Sequence, residues 1–403
     1  MRTRVGVPVE SEAVHSAADS ERPTLVCFSH LRWDFVFQRP QHLMRRFAEE
    51  MTVVYWEEPV EIGEKDTALL RVRAAEDYPD VRIVVPHIPS GLDPERRTAA
   101  LKRLLDAYSA GLSRPVVAWY YTPMMLPFTR DLDAAVTVYD AMDELSKFKF
   151  APPELLALEQ ELIDRADLVF TGGSSLFEAK KDRHDRVYLF PSSVDRTHFA
   201  KARAHQFDPA DQEELRRPRL GFYGVLDERF DTELLDRIAA MRPDWSFVMV
   251  GPVVKISEDD LPRRPNIHYL GPKKYEQLPA YLAGWNVALM PFAMNESTQF
   301  ISPTKTPEYL AGGRPVVSTP VRDVVRHYGH LQGVGIAATA EEFVAECERM
   351  LKLPADGEWL AEADLLLSLT SWGTTQARMS ALIAELLGEH AGTDSSALLV
   401  AAE

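Results

Sequence analysis

The sequence predicts an α/β protein with two doubly wound parallel sheets, one in each half of the chain. Short apolar runs of strand length alternate with amphipathic segments of helix length, which is the pattern of parallel strands joined by helices. The alternation breaks after residue 190 and restarts at residue 219, beyond a polar stretch. A chain of 403 residues, 46% of them apolar, is long enough to form two cores.

Apolar runs mark the strands of the first half. These strands are predicted at 24–28, 52–56, 81–85, 116–120, 136–139, 168–171 and 187–190. Amphipathic segments predict helices at 39–50, 99–111 and 153–165. A linker rich in Ala, Asp and Pro follows, so the first domain is predicted to span 22–205.

The second half repeats the same alternation. Strands are predicted at 219–223, 247–250, 268–270, 287–291 and 315–318, and helices at 275–283 and 376–387. The second domain is therefore predicted to span 206–370. Residues 1–21 and 391–403 lack such a pattern and are predicted to be disordered tails.

Charge and cysteine content exclude several classes of protein. The net charge is −16, and because general nucleic-acid binding requires a basic surface, no nucleic-acid partner is expected. Cys27 and Cys347 are isolated, which provides neither a disulfide framework nor a zinc spacing and fits a cytoplasmic protein. No run approaches the roughly 20 apolar residues of a membrane span, and the first residues have no signal-peptide pattern.

Residues 300–318 are the most specific stretch, a polar loop followed by a short helix, a glycine stop and an apolar strand. Ser302 and Thr304 are predicted to cap the helix, and Lys305 adds a positive charge to its first turn. Glu308 lies one turn further along the same face. A cation beside free backbone amides suits a diphosphate, and a carboxylate suits ribose hydroxyls. The alternative interpretation is a capped surface helix with an ordinary lysine.

This stretch resembles the donor-binding helix of retaining, family-4-type glycosyltransferases (glycosyl transferases group 1), which have the GT-B architecture. Further segments resemble that family in the same order along the chain: PSSVD at 191–195, LGFYG at 220–224, IHYLG at 267–271, ALMPF at 288–292 and SWGTT at 371–375. The loop at 28–40 resembles a subgroup that includes teichuronic-acid and other cell-surface polysaccharide enzymes.

The resemblance implies two Rossmann-like domains facing each other across a cleft, with a helix at 371–390 that crosses back to the first domain. It implies transfer of a sugar from a UDP- or GDP-type nucleotide sugar to a glycan or lipid-linked acceptor. The reaction would be that of a hexosyltransferase (EC 2.4 class) that retains configuration and serves cell-surface polysaccharide synthesis. Two alternatives use the same fold: a nucleotide-sugar epimerase, and a non-catalytic protein that binds nucleotide sugars or glycans.

The resemblance also assigns roles to residues. The implied donor-binding residues are Gly224, Arg229, Tyr269, Ser302, Thr304, Lys305 and Glu308. For Arg229 the alternative is a surface salt bridge with Asp231 or Glu228. For Tyr269 the alternative is a half-buried strand aromatic.

Polar residues that follow two strands of the first half predict the acceptor side. The predicted acceptor-binding residues are His30, Trp33, Asp34, Gln38, Arg39 and Asp140. The alternative is that Trp33 packs under its loop and that His30 is structural. No side chain stands out as a nucleophile, so Asp143 and His30 are the catalytic candidates.

Two positions depart from the family pattern. Phe300 stands where the family has an acid that touches the donor sugar, and Met142 stands where many members have a histidine. Phe300 predicts either altered sugar recognition or a side chain that packs inward. Together, the two departures also leave lost activity open.

Two charged segments complete the prediction. Asp131 and Asp133 form an acid-x-acid triplet that precedes a strand instead of following one, so we interpret it as a solvated turn and expect no metal site. Residues 94–114 are rich in Arg and Lys, which predicts either peripheral contact with the anionic inner face of the membrane or a solvated helix.

Overall fold

The chain folds into two α/β domains, each built on its own sheet. The computed structural model describes residues 8–11, 22–204 and 207–400. Both sheets are almost entirely parallel, and both are covered by helices. Parallel strands buried on both faces read as continuous apolar runs, which is why the sequence marks them clearly.

The first domain contains a ten-stranded sheet within the described residues. Its strands are β1 (Val9–Ser11), β2 (Thr24–Ser29), β3 (Thr52–Glu57), β4 (Val60–Ile62), β5 (Leu69–Ala74), β6 (Val81–Pro89), β7 (Val116–Tyr120), β8 (Val136–Ala141), β9 (Leu168–Thr171) and β10 (Val187–Leu189). Its helices are α1 (Arg39–Phe47), α2 (Pro94–Ser109), α3 (Leu126–Thr129), α4 (Leu155–Arg165) and α5 (Ser174–Lys180). The strand order is β1-β5-β6-β3-β2-β7-β8-β9-β10, with β4 also paired to β6 and β5 antiparallel to β6.

The second domain has a six-stranded parallel sheet in the order β13-β12-β11-β14-β15-β16. These strands are β11 (Arg219–Tyr223), β12 (Ser246–Val250), β13 (Ile267–Tyr269), β14 (Val287–Met290), β15 (Val316–Ser318) and β16 (Val334–Ile336). The helices are α6 (Arg196–Ala204), α7 (Thr232–Met241), α8 (Leu278–Ala283), α9 (Lys305–Ala311), α10 (Arg322–Tyr328), α11 (Ala340–Met350) and α12 (Glu358–Ser368). A last helix, α13 (Trp372–Val400), follows.

Every strand predicted from the sequence is present, and the strands that were missed are short or partly exposed. In β5, Leu70 and Val72 are buried whereas Arg71 between them is exposed. This alternation is the pattern of a half-buried strand, and it was a usable signal. The charged residues of β5 hid it from a search for continuous apolar runs.

The chain changes domain earlier than the predicted boundary at residue 205. Val194, Phe199 and Ala202 are buried in the core of the second domain, so α6 belongs to that domain. The polar composition of the linker masked the apolar face of α6. The change of domain therefore falls before α6 begins.

The last helix crosses back to the first domain, as expected. Trp372, Met379 and Ile383 are buried in the core of the first domain, on the side of its sheet that α1 also covers. The helix continues to Val400, beyond residue 390, where a tail was predicted. At the other end of the chain, β1 pairs with β5 inside the predicted N-terminal tail, and the rest of that tail lies outside the described residues.

The fold brings the carboxyl ends of both sheets to one cleft. Loops that follow β2 and β8 in the first domain face loops that follow β11, β12 and β14 in the second. The cleft has a volume of about 460 Å³. Ligands of open α/β sheets bind at this end of the strands, so the cleft is the candidate site.

Candidate active site in the interdomain cleft

Two glycines allow the chain to pack closely around Lys305. Gly224 has a φ of +143°, and a Cβ atom there would lie 2.2 Å from Cε of Lys305. Gly251 has a φ of +142°, and a Cβ atom there would lie 1.8 Å from the carbonyl oxygen of Gly224. A larger residue at Gly251 would collide with backbone, one at Gly224 would displace the end of the Lys305 side chain, and both positive φ values favour glycine.

Lys305 is a cation without an anionic partner. Its Nζ lies 5.7 Å from the ring centroid of Phe222 and 5.9 Å from that of Phe292. Within the described residues, it forms no hydrogen bond or ion pair. Burial, followed by the positive charge of Arg229, lowers the pKa of Lys305. A lysine whose ammonium group is buried without an anionic partner is destabilised in its charged form, and such a lysine is typical of an anion-binding site.

Arg229 lines the same cleft, but its charge is already matched. Its Nη2 donates to Asp227 at 2.6 Å, and its Nε lies within hydrogen-bond distance of both carboxylate oxygens. The expected alternative partners, Asp231 and Glu228, are not the ones used. Because Asp227 neutralises Arg229, less of its positive charge is available to an anion than that of Lys305.

Glu308 is buried one turn along α9 from Lys305. It accepts a hydrogen bond of 2.9 Å from the Tyr223 hydroxyl. Burial raises the pKa of Glu308 to about 7, although the charge of Lys305 opposes the shift. The carboxylate is therefore poised to change its ionisation near neutral pH.

Replacing Glu308 by glutamine should stabilise the free protein more at pH 8 than at pH 5. A carboxyl group with a raised pKa binds its proton more tightly in the folded state, so stability falls as the pH rises from about 4.5 to about 7. Glu308→Gln removes this loss while keeping an acceptor for Tyr223. Melting temperatures of both proteins should diverge above pH 7 by roughly 2–4 °C. A difference that does not change with pH would contradict the raised pKa.

Of the other predicted donor residues, Ser302 and Thr304 line the cleft and Tyr269 does not. Ser302 lines the cleft, and its carbonyl oxygen accepts from Ser192 Oγ of the first domain at 2.5 Å. Thr304 also lines the cleft and occupies the N-cap position of α9, but its side chain caps nothing. The predicted capping by Ser302 and Thr304 is therefore wrong. Tyr269 does not line the cleft, because its hydroxyl donates to the carbonyl oxygen of Pro262.

Two predicted acceptor residues are instead bound to each other. Arg39 and Asp140 are buried, with Nε and Nη2 of Arg39 directed at the Asp140 carboxylate at 2.9 Å. The remaining nitrogen, Nη1, donates to the carbonyl oxygen of Phe190 at 2.8 Å. This pair ties α1 to β8, which leaves Asp140 no capacity to bind an acceptor.

Trp33 also takes its alternative placement. Only 7% of its surface is exposed, and its ring packs edge-on against Tyr55 at 5.0 Å. Asp34 is exposed at the cleft and pairs with Arg73, and Gln38 lines the cleft at the N-cap of α1. Trp33 therefore packs mainly under its loop, and its remaining exposed part lines the cleft.

The catalytic candidates are separated by the fold. Asp143 lines the cleft, and burial raises its pKa while Arg229 lowers it. His30 does not line the cleft. Burial, together with the charge of Lys255, lowers the pKa of His30 to about 4, so it is neutral at pH 7. Met142 lines the cleft beside Asp143, where the family often has histidine.

A loop after β8 bridges the two domains, and sequence reasoning missed it. The ring of Phe148 lies 5.4 Å from the guanidinium of Arg229 and 5.1 Å from Nζ of Lys255. The backbone N–H of Lys149 donates to Glu228 at 3.0 Å. Two phenylalanines alternating with lysines at 147–150 were the available signal, because exposed loops rarely concentrate aromatics.

Phe300 is partly buried and does not line the cleft, whereas the adjacent Ile301 does. The polar side chains before it are engaged with their own loop. Asn295 Oδ1 accepts from Ser297 and Thr298 backbone N–H groups. At this point of the cleft, the apolar side chain that lines it is therefore that of Ile301, whereas Phe300 lies away from it.

The basic segment 94–114 and the acid-x-acid triplet at Asp131 and Asp133 form ion pairs with each other. Lys102 pairs with Asp131 at 3.2 Å, and Arg114 pairs with Asp133 at 2.8 Å. The acid-x-acid triplet is thus an exposed, ion-paired turn. Among the described residues, no group of three acidic, histidine or cysteine side chains could hold a metal ion. The described helices include none with the length and apolarity needed to span a bilayer.

The chain resembles known proteins in sequence. Residues 217–353 match the family model of glycosyl transferases group 1. TuaH of Bacillus subtilis, named as a teichuronic acid biosynthesis glycosyltransferase, is 30% identical over 140 residues, which is 33% of this chain. The match spans only 34% of the length of TuaH.

Solved structures resemble the chain over most of its length. Sucrose-phosphate synthase of Thermosynechococcus elongatus has a TM-score of 0.65 at 17% identity and covers 91% of this chain and all of its own. Trehalose 6-phosphate synthase of Burkholderia multivorans has a TM-score of 0.61 at 15% identity, covering 93% of this chain and 98% of its own. HepE of Anabaena, in complex with UDP-glucose, has a TM-score of 0.63 at 12% identity and covers 90% of this chain and 99% of its own.

Two parallel sheets face each other across one cleft, and a C-terminal helix returns to the first domain. Such an arrangement is shared with these solved structures over about nine tenths of the chain. The matched family region begins just before β11 and ends after α11, so it contains both Gly224 and Lys305. The chain therefore has the GT-B fold, and its residues 217–353 match the family model of glycosyl transferases group 1.

Proposed function

We propose that this protein is a glycosyltransferase that moves a sugar from a nucleotide-diphosphate sugar to a glycan or lipid-linked acceptor. The observation that carries the proposal is the unpaired Lys305, partly buried in the cleft against Gly224. A nucleoside diphosphate supplies the negative charge that this lysine lacks. The cleft also lies where open α/β sheets bind nucleotides.

The residues around Lys305 suit the leaving group of such a reaction. As the sugar departs, negative charge grows on the diphosphate, and Lys305 stabilises it, assisted by Nη1 of Arg229, the guanidinium nitrogen that is not bonded to Asp227. Glu308 accepts hydrogen bonds from ribose hydroxyls when it is ionised. Catalysis then consists of charge stabilisation and of positioning the acceptor beside the donor.

The names of similar proteins support narrower proposals. HepE was solved with UDP-glucose, which favours a UDP-type donor here. The resemblance to TuaH favours an acceptor that belongs to a cell-surface polysaccharide. We also propose that the configuration of the transferred sugar is retained, because the family that the donor helix resembles retains it.

The proposal is tested by incubating the purified protein with a panel of nucleotide sugars. We expect a thermal shift with one donor, and release of its nucleoside diphosphate when an acceptor is added. Thermal shift without release would favour a non-catalytic binding protein, and interconversion of the donor without an acceptor would favour an epimerase. No shift with any nucleotide sugar would contradict the proposal.

Turnover should persist in excess EDTA. The cationic side chains at the cleft supply the charge stabilisation that a metal provides in other transferases, and the Asp131 and Asp133 carboxylates are paired with Lys102 and Arg114. We expect the rate of nucleotide release to change by less than about twofold after chelation. Loss of activity in EDTA with rescue by manganese or magnesium would show that a metal takes part.

A further inference from the structure

The first-domain wall of the cleft exposes an aromatic ring that the function proposed above has not used. Phe35 lines the cleft and is 48% exposed, whereas Trp33, two residues earlier, is buried. Val36, Phe37 and Tyr78 line the same wall. Exposing a phenylalanine in a cleft is unfavourable unless the ring has a partner.

Hydrogen bonds hold the loop that precedes Phe35 in place. The Glu57 carboxylate accepts from the Trp33 backbone N–H at 2.8 Å and from Arg32 at 2.9 Å. The Gln41 side chain donates to the Trp33 carbonyl oxygen at 2.9 Å. These bonds fix the loop immediately before Phe35, so the ring is presented at the cleft by a supported backbone.

The charge of this wall selects against anions. Among the described first-domain residues that line the cleft, Arg39 is the only cation, and all of its nitrogens are engaged by Asp140 and Phe190. The same wall carries the acidic residues Glu76, Asp77 and Asp143, and also Asp34, which is paired with Arg73. A phosphate placed near Phe35 would therefore face carboxylates and find no unpaired cation on that side.

The cations of the cleft lie on the opposite wall. They are Arg229, Lys273, Lys274 and Lys305. Arg229 and Lys273 are paired with Asp227 and Asp211, and Lys305 is assigned to the donor diphosphate. Lys274 forms no ion pair within the described residues and also lies on this second wall. Charge is thus divided across the cleft, positive where the donor binds and negative where the acceptor enters.

We propose that Phe35 is a stacking platform for the apolar face of an acceptor sugar, and that this sugar is neutral and not a sugar phosphate. The inference rests on the proposed glycosyltransferase function. A pyranose has one face of C–H groups, which packs on an aromatic ring, and peripheral hydroxyls, which donate to carboxylates. Glu76 and Asp77 provide such acceptors at the same wall.

The test measures sugar binding to the protein saturated with UDP or GDP, using calorimetry for the nucleotide and saturation-transfer NMR for the sugars. The sugar panel pairs neutral hexoses and disaccharides with their 6-phosphates. We expect neutral members to bind and their phosphates not to bind. Phe35→Ala should weaken neutral-sugar binding about tenfold, while nucleotide affinity stays unchanged. Phe207→Ala, which removes another exposed phenylalanine, is the matched control and should change neither affinity.

A charge-reversal variant tests the second half of the inference. Glu76→Lys combined with Asp77→Lys should allow a sugar phosphate to bind, because the repulsion is replaced by attraction. Tighter binding of phosphates than of neutral sugars by the unmodified protein would overturn the inference, as would neutral-sugar binding that is unaffected in Phe35→Ala. Nucleotide binding with no neutral sugar bound would also overturn it. Absence of nucleotide binding would instead contradict the proposed function.

Discussion

Replacing Lys305 by alanine is expected to weaken the binding of a nucleoside diphosphate by about 1.5 to 3 kcal/mol, the range for a lost hydrogen bond to a charged group. Among the described residues Lys305 forms no ion pair, so its charge is available to a bound diphosphate. Arg229 is held by Asp227 and would have to leave that carboxylate to compensate. Calorimetric titration with UDP and GDP measures the loss directly.

The methionine variant separates binding from folding at the same position. Lys305→Met keeps the length of the side chain beside Phe222 and Phe292 but removes its charge. Since burial lowers the pKa of Lys305, removing the charge should stabilise the free protein by roughly 0.5 to 2 kcal/mol while binding is lost. Lys352→Ala, at an exposed position of the same domain, is the control. Unchanged nucleotide affinity in a folded Lys305 variant would remove the central assignment.

Replacing Trp372 by alanine should destabilise the first domain by about 3 to 5 kcal/mol, the usual cost of truncating a fully buried large aromatic residue. The Trp372 side chain is fully buried in the core of the first domain and stacks on His42 at 4.7 Å, although it follows the second domain in sequence. Hydrogen exchange resolved by peptide should show the loss in β2 and β3 and little change in β11 and β12.

A second tryptophan provides the matched comparison. Trp359, in the preceding helix α12, is 2% exposed and belongs to the core of the second domain. Trp359→Ala should therefore produce the opposite pattern, with faster exchange in β11 and β12. Identical patterns in the two variants would show that the two domains unfold as one unit. They would contradict the assignment of Trp372 to the first-domain core and of Trp359 to the second-domain core.

The main elements of the fold could be predicted because their signals are local. Buried parallel strands such as β2 and β3 must be apolar on both faces, so they stand out in the sequence. Strand β5 was missed because one face carries charged residues, and α6 was assigned to the wrong domain because its partners are distant in sequence. Such features depend on what a segment packs against, which local composition does not contain.

In the candidate site, too, some residues could be predicted from local sequence and others could not. Residues 300–318 identified Lys305 and Glu308 because an unusual combination of helix start, cation and carboxylate occurs within a few positions. The ion pair between Arg229 and Asp227 was not predictable in this way, because an arginine in a loop beside several acids has more than one local partner. Acceptor binding was predicted for Trp33, but Phe35 is the more exposed aromatic of that loop, and local sequence did not tell which of the two is buried.

The sequence by itself determined the α/β architecture and singled out the helix that carries Lys305 and Glu308, because each is encoded by neighbouring residues. The tertiary structure decided which charges remain free. It paired Arg39 with Asp140 and Arg229 with Asp227, and it left Lys305 without an ion-pair partner among the described residues. Its loops also turned Trp33 inward and Phe35 outward. Charge pairing and burial are relations between segments far apart in the chain, so they exist only once the two sheets face each other.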